Sequence, residues 1–237
     1  MADQILTNKV KSSTTQTQLD GLVVNIELTL ISIIQGVAFS FLADNSSSVL
    51  VNLQFIFWPY AVTGLLIILL FWSRSLIHTL TVIRWPLKFG HNFMYIACTL
   101  VETVAFTQLT NPLRWYALNS VFALMAGILF ALDLRLIRDR IADSAGQIGC
   151  RLYATVEREQ LLNIRLVIPA TLIFNLLAVM AAYYWALPFV AKGGHVIVGI
   201  VQLGATMGYL FYVTRFFTRI IPLIVQTRQE WRDDVSA

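Results

Sequence analysis

The stretch LVVNIELTLISIIQGVAFSFL, residues 22–42, decides the fold. It carries one formal charge, Glu27, in 21 residues. A helix needs about 20 mostly apolar residues to cross a hydrocarbon core roughly 30 Å thick. Backbone groups in hydrocarbon must be satisfied within the segment, so this length predicts a membrane-spanning helix. The strict alternation of a barrel strand is absent. Working outward, five more apolar segments follow at 55–76, 89–109, 115–136, 166–190 and 196–216. The whole chain is 57% hydrophobic and 13% charged, where a soluble domain carries nearer a quarter charged. The expected fold class is therefore an all-α, polytopic membrane protein of about six transmembrane helices. No length remains for a separate soluble domain.

Basic residues set the expected orientation. Lys9 and Lys11 precede helix 1; Arg74, Arg84 and Lys88 lie between helices 2 and 3. Arg135, Arg138, Arg140, Arg151, Arg158 and Arg165 lie between helices 4 and 5, and Arg215, Arg219, Arg228 and Arg232 end or follow helix 6. These are 15 of the 17 Lys and Arg residues; only Arg114 and Lys192 fall on the other side. The positive-inside rule then places both termini in the cytoplasm. The first 20 residues are polar, so helix 1 itself is expected to direct insertion. The net charge of +4 reflects this loop bias. No basic run with interleaved aromatics points to nucleic acid. Trp58, Trp115, Tyr116, Tyr183, Tyr184 and Trp185 suit the outer interface, and Gly193-Gly194 reads as a tight outer turn.

The organisation that follows is a polar cytoplasmic N-terminus (1–21), helices 1–4 (22–136), a cytoplasmic helical hairpin (137–165), helices 5–6 (166–217) and a cytoplasmic tail (218–237). The hairpin rests on apolar residues at spacings of three and four: Leu134, Ile137, Ile141, Ala145, Ile148, Leu152 and Val156. One straight helix to Val156 would stand about 30 Å off the membrane at 1.5 Å per residue. Too little chain would remain to return, so a break is expected at 146–149, where Gly146 and Gly149 fall.

Helix 3 is the most informative segment for function. His91, Tyr95, Cys98, Thr99 and Glu102 fall on one helical face. Glu102 lies mid-segment, where an ionisable group faces protein or water. No Lys or Arg falls at matching depth in another segment. The residue is then protonated, hydrogen-bonded to a neutral partner, or set on a water-filled path. A cation or proton pathway is one reading; a structural carboxyl bonded to a neighbouring helix is the other. Helix 1 carries Glu27 and Gln35 on one face and Asn25, Thr29, Ser32, Gly36 and Ser40 on another, which suits a central helix. Gly127 in helix 4 and the Gly204/Gly208 pair in helix 6 permit close helix packing. Asp133 and Arg135 lie where helix 4 leaves the membrane, at the depth of Arg215 and Arg219 on helix 6; anchoring at the interface is the favoured reading and pairing between them the other. His78, His91 and His195 have no metal-ligand spacing, no cofactor motif is present, and no enzyme constellation emerges.

The layout resembles the bacterial and endolysosomal six-helix potassium channels that lack a pore loop. The resemblance spans helices 1 to 3: residues 34–38 (IQGVA) stand where those channels carry Phe-Ser-Asp-Gly-Val, Trp72 and His78 match a Trp/His feature, and Asn92 a helix 3 asparagine. The chain lacks the family's helix 1 Arg and its Phe-Ser-Asp triplet. The resemblance implies an ion-conducting homo-oligomer in a bacterial inner (plasma) membrane. Helix 1 would line its pore, with Ile31, Ile34 and Ala38 as a hydrophobic constriction beside Gln35 and Ser32, and His91, Tyr95, Thr99 and Glu102 as further pathway residues. The alternative is a non-conducting scaffold or regulatory subunit that docks a cytoplasmic protein on the 137–165 hairpin. The lipid bilayer is the partner common to both.

Overall fold

A computed structural model describes residues 2–83, 89–143 and 149–236. Among these the chain is all-helical, with no strand. Helix α1 (Ala2–Val51) ends in a turn where Leu53 adopts a φ of 53° and the Gln54 amide donates to the Val49 carbonyl at 2.9 Å. A short 3-10 turn (Phe55–Phe57) leads into α2 (Trp58–Thr81), with Pro59 in its first turn. Helix α3 spans Phe89–Phe106. Asn111 then caps α4 (Pro112–Asp143): its Oδ1 accepts from the Arg114 amide at 3.1 Å, and the leading proline has no amide to leave unsatisfied.

Helix α5 (Gly149–Leu162) runs through a π turn (Asn163–Val167) into α6 (Ile168–Tyr184). The π turn immediately precedes Pro169, whose ring would clash with the previous turn of a regular helix; the wider turn relieves this. A second π turn (Leu187–Ala191) contains Pro188. Gly193 follows at a φ of 77°, in the left-handed region. A Cβ on Gly194 would come within 2.9 Å of the Pro188 carbonyl oxygen, so this turn needs both glycines. Helix α7 (Gly194–Ser236) completes the chain.

Five helices are long and apolar enough to cross a membrane: Gln18–Val51, Phe55–Thr81, Pro112–Ala142, Gly149–Tyr184 and Gly194–Thr227. This makes the chain compatible with an integral membrane protein. The sixth expected segment is α3, which is not among the five. It is 18 residues long, stops at Phe106, and carries His91, Asn92 and Glu102.

Helix α4 packs between α3 and α6, α2 packs between α1 and α7, and α1 also meets α3. One core cluster, around Tyr60, Phe106, Trp115, Tyr116 and Phe189, fills the end away from the hairpin. A second, around Ile77, Val82, Ile137, Leu152, Val156, Val213 and Ile220, fills the end that carries the hairpin, hereafter the basic end. Between them Ile31, Phe71, Tyr95, Cys98 and Leu129 pack together. Trp58, Tyr183, Tyr184 and Trp185 are exposed as an interface belt requires. Trp115 and Tyr116 depart from that expectation and are wholly buried; Trp115 Nε1 donates to Gln202 Oε1 at 3.0 Å.

The expected break at 146–149 falls largely in residues 144–148, outside the described residues. On either side of them α4 and α5 run antiparallel. Arg138 Nε donates to Glu157 Oε1 at 2.8 Å, and Gln160 Nε2 donates to the Phe130 carbonyl at 3.0 Å. The glycine expectations divide. Gly127 meets α6, where a Cβ would lie 3.0 Å from Ile168 Cγ2. Gly204 and Gly208 have nothing within 4 Å of an added Cβ among the described residues.

Candidate functional site

The shared face of α3 predicted from spacing is the buried one. Tyr95, Cys98, Thr99 and Glu102 are all enclosed, Glu102 to 2% exposure. Helix α1 meets this face with Glu27, Ile31 and Gln35, also buried. Gln35 Nε2 donates to Thr99 Oγ1 at 3.3 Å, and Thr99 Oγ1 donates to the Tyr95 carbonyl at 3.2 Å. Phe71 of α2 stacks on the Tyr95 ring at 4.8 Å and fixes it in place. The Tyr95 hydroxyl lies beside Ser75 and Gln35. Glu102 lies beside Gln35, within range to interact with it, while neither of its buried carboxyl oxygens meets full hydrogen-bond geometry.

Nearer the basic end, three helices bring together His78 of α2, His91 of α3 and Asp133 of α4. His91 Nε2 is 2.8 Å, and His78 Nε2 3.6 Å, from Asp133 Oδ1. The imidazoles stack at 4.7 Å with 21° between their planes. His91 Nδ1 lies 3.3 Å from Asn92 Oδ1. Asp133 thus faces the two histidines, where the sequence suggested an interface anchor or a pairing with Arg215 or Arg219. A cavity of about 30 Å³ connects this cluster with Glu27, Tyr95 and Glu159.

Arg74 was expected in a loop between helices 2 and 3. Instead α2 continues to Thr81 and holds Arg74 inside the bundle. Its guanidinium pairs with Glu159 Oε2 at 2.5 Å and with Gln160 Oε1 at 2.6 Å, both from α5. It also sits 5.3 Å from the centre of the Phe130 ring, a cation–π contact. Asn163 Nδ2 donates to Glu159 Oε2 at 2.8 Å, and the Tyr209 hydroxyl donates to Asn163 Oδ1 at 2.7 Å. The network therefore ties α2, α5, the π turn and α7 together.

The residues expected to line one pore do not share one surface. Ile31 and Gln35 point into the helix bundle, Ile34 is half-buried, and Ser32 is exposed on the opposite side of α1, its hydroxyl bonded to the Leu28 carbonyl at 2.8 Å. Ile31 belongs to the central core cluster and Ala38 to the far one. Sequence reading missed His78 and Asp133 as partners of His91, and Arg74 and Glu159 as a pair. Their helical registers held a clue: Phe71, Arg74 and His78 recur at spacings of three and four, as do Phe130, Asp133 and Ile137.

A larger cavity, about 480 Å³, opens between α2, α4, α6 and α7. Its walls are mainly apolar, among them Leu70, Phe122, Ala126, Val167 and Phe174. Such a surface suits acyl chains better than an ion. At the far end Tyr60 bridges to His195, its hydroxyl 2.9 Å from Nδ1 and donating to the His195 carbonyl at 3.1 Å. Comparisons with protein-family models, curated proteins and solved structures found no match.

Proposed function

We propose that this is an integral membrane protein of six spans that conducts a cation, along a path inside the subunit at the α1–α3 seam. The path runs from the His78–His91–Asp133 cluster past Tyr95 and Gln35 to Glu102. The observation that carries this reading is Glu102, buried with neither carboxyl oxygen in full hydrogen-bond geometry. Buried polar groups are nearly always hydrogen-bonded, and an unsatisfied one points to water or an ion. An intramembrane carboxylate facing the bundle interior is the usual mark of a cation or proton route. His91 and Glu102 are 11 residues apart on α3, about 16 Å along the axis, so this row covers half the membrane. Tyr60, Phe106, Trp115 and Tyr116 close the other half in this conformation.

Helix α3 qualifies as the sixth span by its faces. Its polar residues point inward, while Phe93, Ile96, Leu100 and Val104 form an exposed apolar stripe suited to lipid. The basic end is cytoplasmic by the positive-inside rule. Gly204 and Gly208 leave α7 open to close approach by a second copy, which supports a homo-oligomer. The docking-subunit reading loses support, because Ile137, Leu152 and Val156 of the hairpin stripe are already buried within the fold.

Two variants of Glu102 test the assignment. Glu102→Gln should fold and lose or alter cation flux, because it keeps the shape and removes the ionisable carboxyl. Glu102→Leu should also abolish flux with only a small loss of thermal stability, since Gln35 loses a weak contact and keeps its bond to Thr99. If the glutamine variant conducts as the wild type does, and the leucine variant unfolds, Glu102 is structural and the path is wrong.

A further inference from the structure

The structure brings His78, His91 and Asp133 together from three helices, with one donor atom from each lying within 4.8 Å of the others. We propose that this cluster binds a divalent first-row transition-metal ion of the zinc, cobalt(II) or iron(II) class. Two imidazoles and one carboxylate suit such an ion, and the same donor set leaves coordination positions open. Calcium and magnesium prefer all-oxygen surroundings.

The distances fit this use. Ligand bonds of about 2.0–2.1 Å at tetrahedral angles put donor atoms about 3.3 Å apart. The two separations from Asp133 Oδ1, 2.8 Å and 3.6 Å, bracket that spacing. His78 Nε2 is buried with no hydrogen bond, and His91 Nε2 pairs with Asp133 Oδ1 at 2.8 Å. A metal ion binds in place of the proton this pair shares, because ligand imidazoles must be neutral and binding releases protons.

The surroundings supply the rest of a metal centre. The Nδ1 contact with Asn92 orients His91, as outer partners orient metal-binding imidazoles. Gln160 Nε2, at 3.5 Å, steadies the other Asp133 oxygen. Glu27 lies within electrostatic reach of His91 and keeps a buried, unpartnered oxygen. Asp133 and Glu27 together balance a doubly charged ion, while the nearest cation, Arg74, is offset by Glu159. The cavity of about 30 Å³ here is close to the volume share of one water, enough for an ion. This inference does not rest on conduction: a bound metal that only ties α2, α3 and α4 together would satisfy it.

The full-length protein in detergent, stripped with a chelator, is titrated with cobalt(II) and then with zinc(II). One cobalt per chain is expected, with visible d–d bands of low coordination number that zinc displaces and excess magnesium does not. His91→Gln and Asp133→Asn should each weaken binding by about 100-fold or more, since outer-shell changes alone cost about 10–100-fold. His195→Asn, the remaining histidine, should bind normally. Cobalt should also raise the wild-type unfolding temperature, and this decides the matter if a ligand variant does not fold. Absence of stoichiometric cobalt in the wild type, or unchanged binding in His91→Gln and Asp133→Asn, overturns the proposal. Neither result decides whether Glu102 carries cations, which the flux of Glu102→Gln tests separately.

Discussion

Removal of the Glu159 carboxylate should destabilise the fold more than any surface change, and the structure gives the size. Arg74 and Glu159 are each less than a tenth exposed and pair at 2.5 Å. Breaking a buried pair by removing one partner strands the other charge and costs about 3–5 kcal/mol. In a chain of this length each kcal/mol corresponds to about 2–4 °C in unfolding temperature, so Glu159→Ala should fall by about 6–20 °C. Arg74→Ala should lose a similar amount, because Glu159 then keeps only its contact with Asn163. Replacing both with apolar residues, Arg74→Met with Glu159→Leu, should recover most of the loss, since filling the space removes both desolvation costs. Thermal unfolding of the wild type, Arg74→Met, Glu159→Leu and their combination in one detergent, read by near-ultraviolet circular dichroism, completes the double-mutant cycle. Strict additivity, with the double variant as unstable as the two losses summed, would refute the pairing. Loss of less than about 1 kcal/mol in the single variants would place the pair at the surface instead.

Cysteine at position 145, introduced in a Cys98→Ser, Cys150→Ser background, should resist membrane-impermeant labelling in intact cells and react after permeabilisation; labelling of intact cells would reverse the orientation. Gly127→Val should cost about 1–3 kcal/mol through overpacking against Ile168, read as a lower unfolding temperature. The same change at Gly204, where an added Cβ meets nothing within 4 Å among the described residues, should leave the fold of the chain intact.

Much of this architecture is legible in the sequence because the signals are local. Apolar run lengths located the long helices, and the i, i+4, i+7, i+8, i+11 spacing on α3 identified its buried face from His91 to Glu102. The Gly193-Gly194 turn and the antiparallel return of α5 follow from backbone freedom and chain reach. The polar clusters were not legible, because their members lie far apart in sequence. Arg74 counted only as one of the basic residues between helices 2 and 3, because its partner Glu159 arrives 85 residues later on a helix whose docking position no periodicity encodes. Trp115 looked like a belt residue, but Gln202, 87 positions on, accepts a hydrogen bond from its indole N–H inside the bundle. Helix 1 showed two polar faces, and only packing reveals that Gln35 turns inward while Ser32 turns out.

The most direct test of the conduction path is flux through the purified wild-type protein in liposomes under an imposed cation gradient, with sodium, potassium and protons tried separately. Potassium belongs in the set because of the resemblance in helices 1 to 3. The account predicts that at least one gradient collapses faster than in empty liposomes, and that Glu102→Gln liposomes of equal protein content lose or alter that flux. Folded protein that leaves all three gradients intact would contradict it.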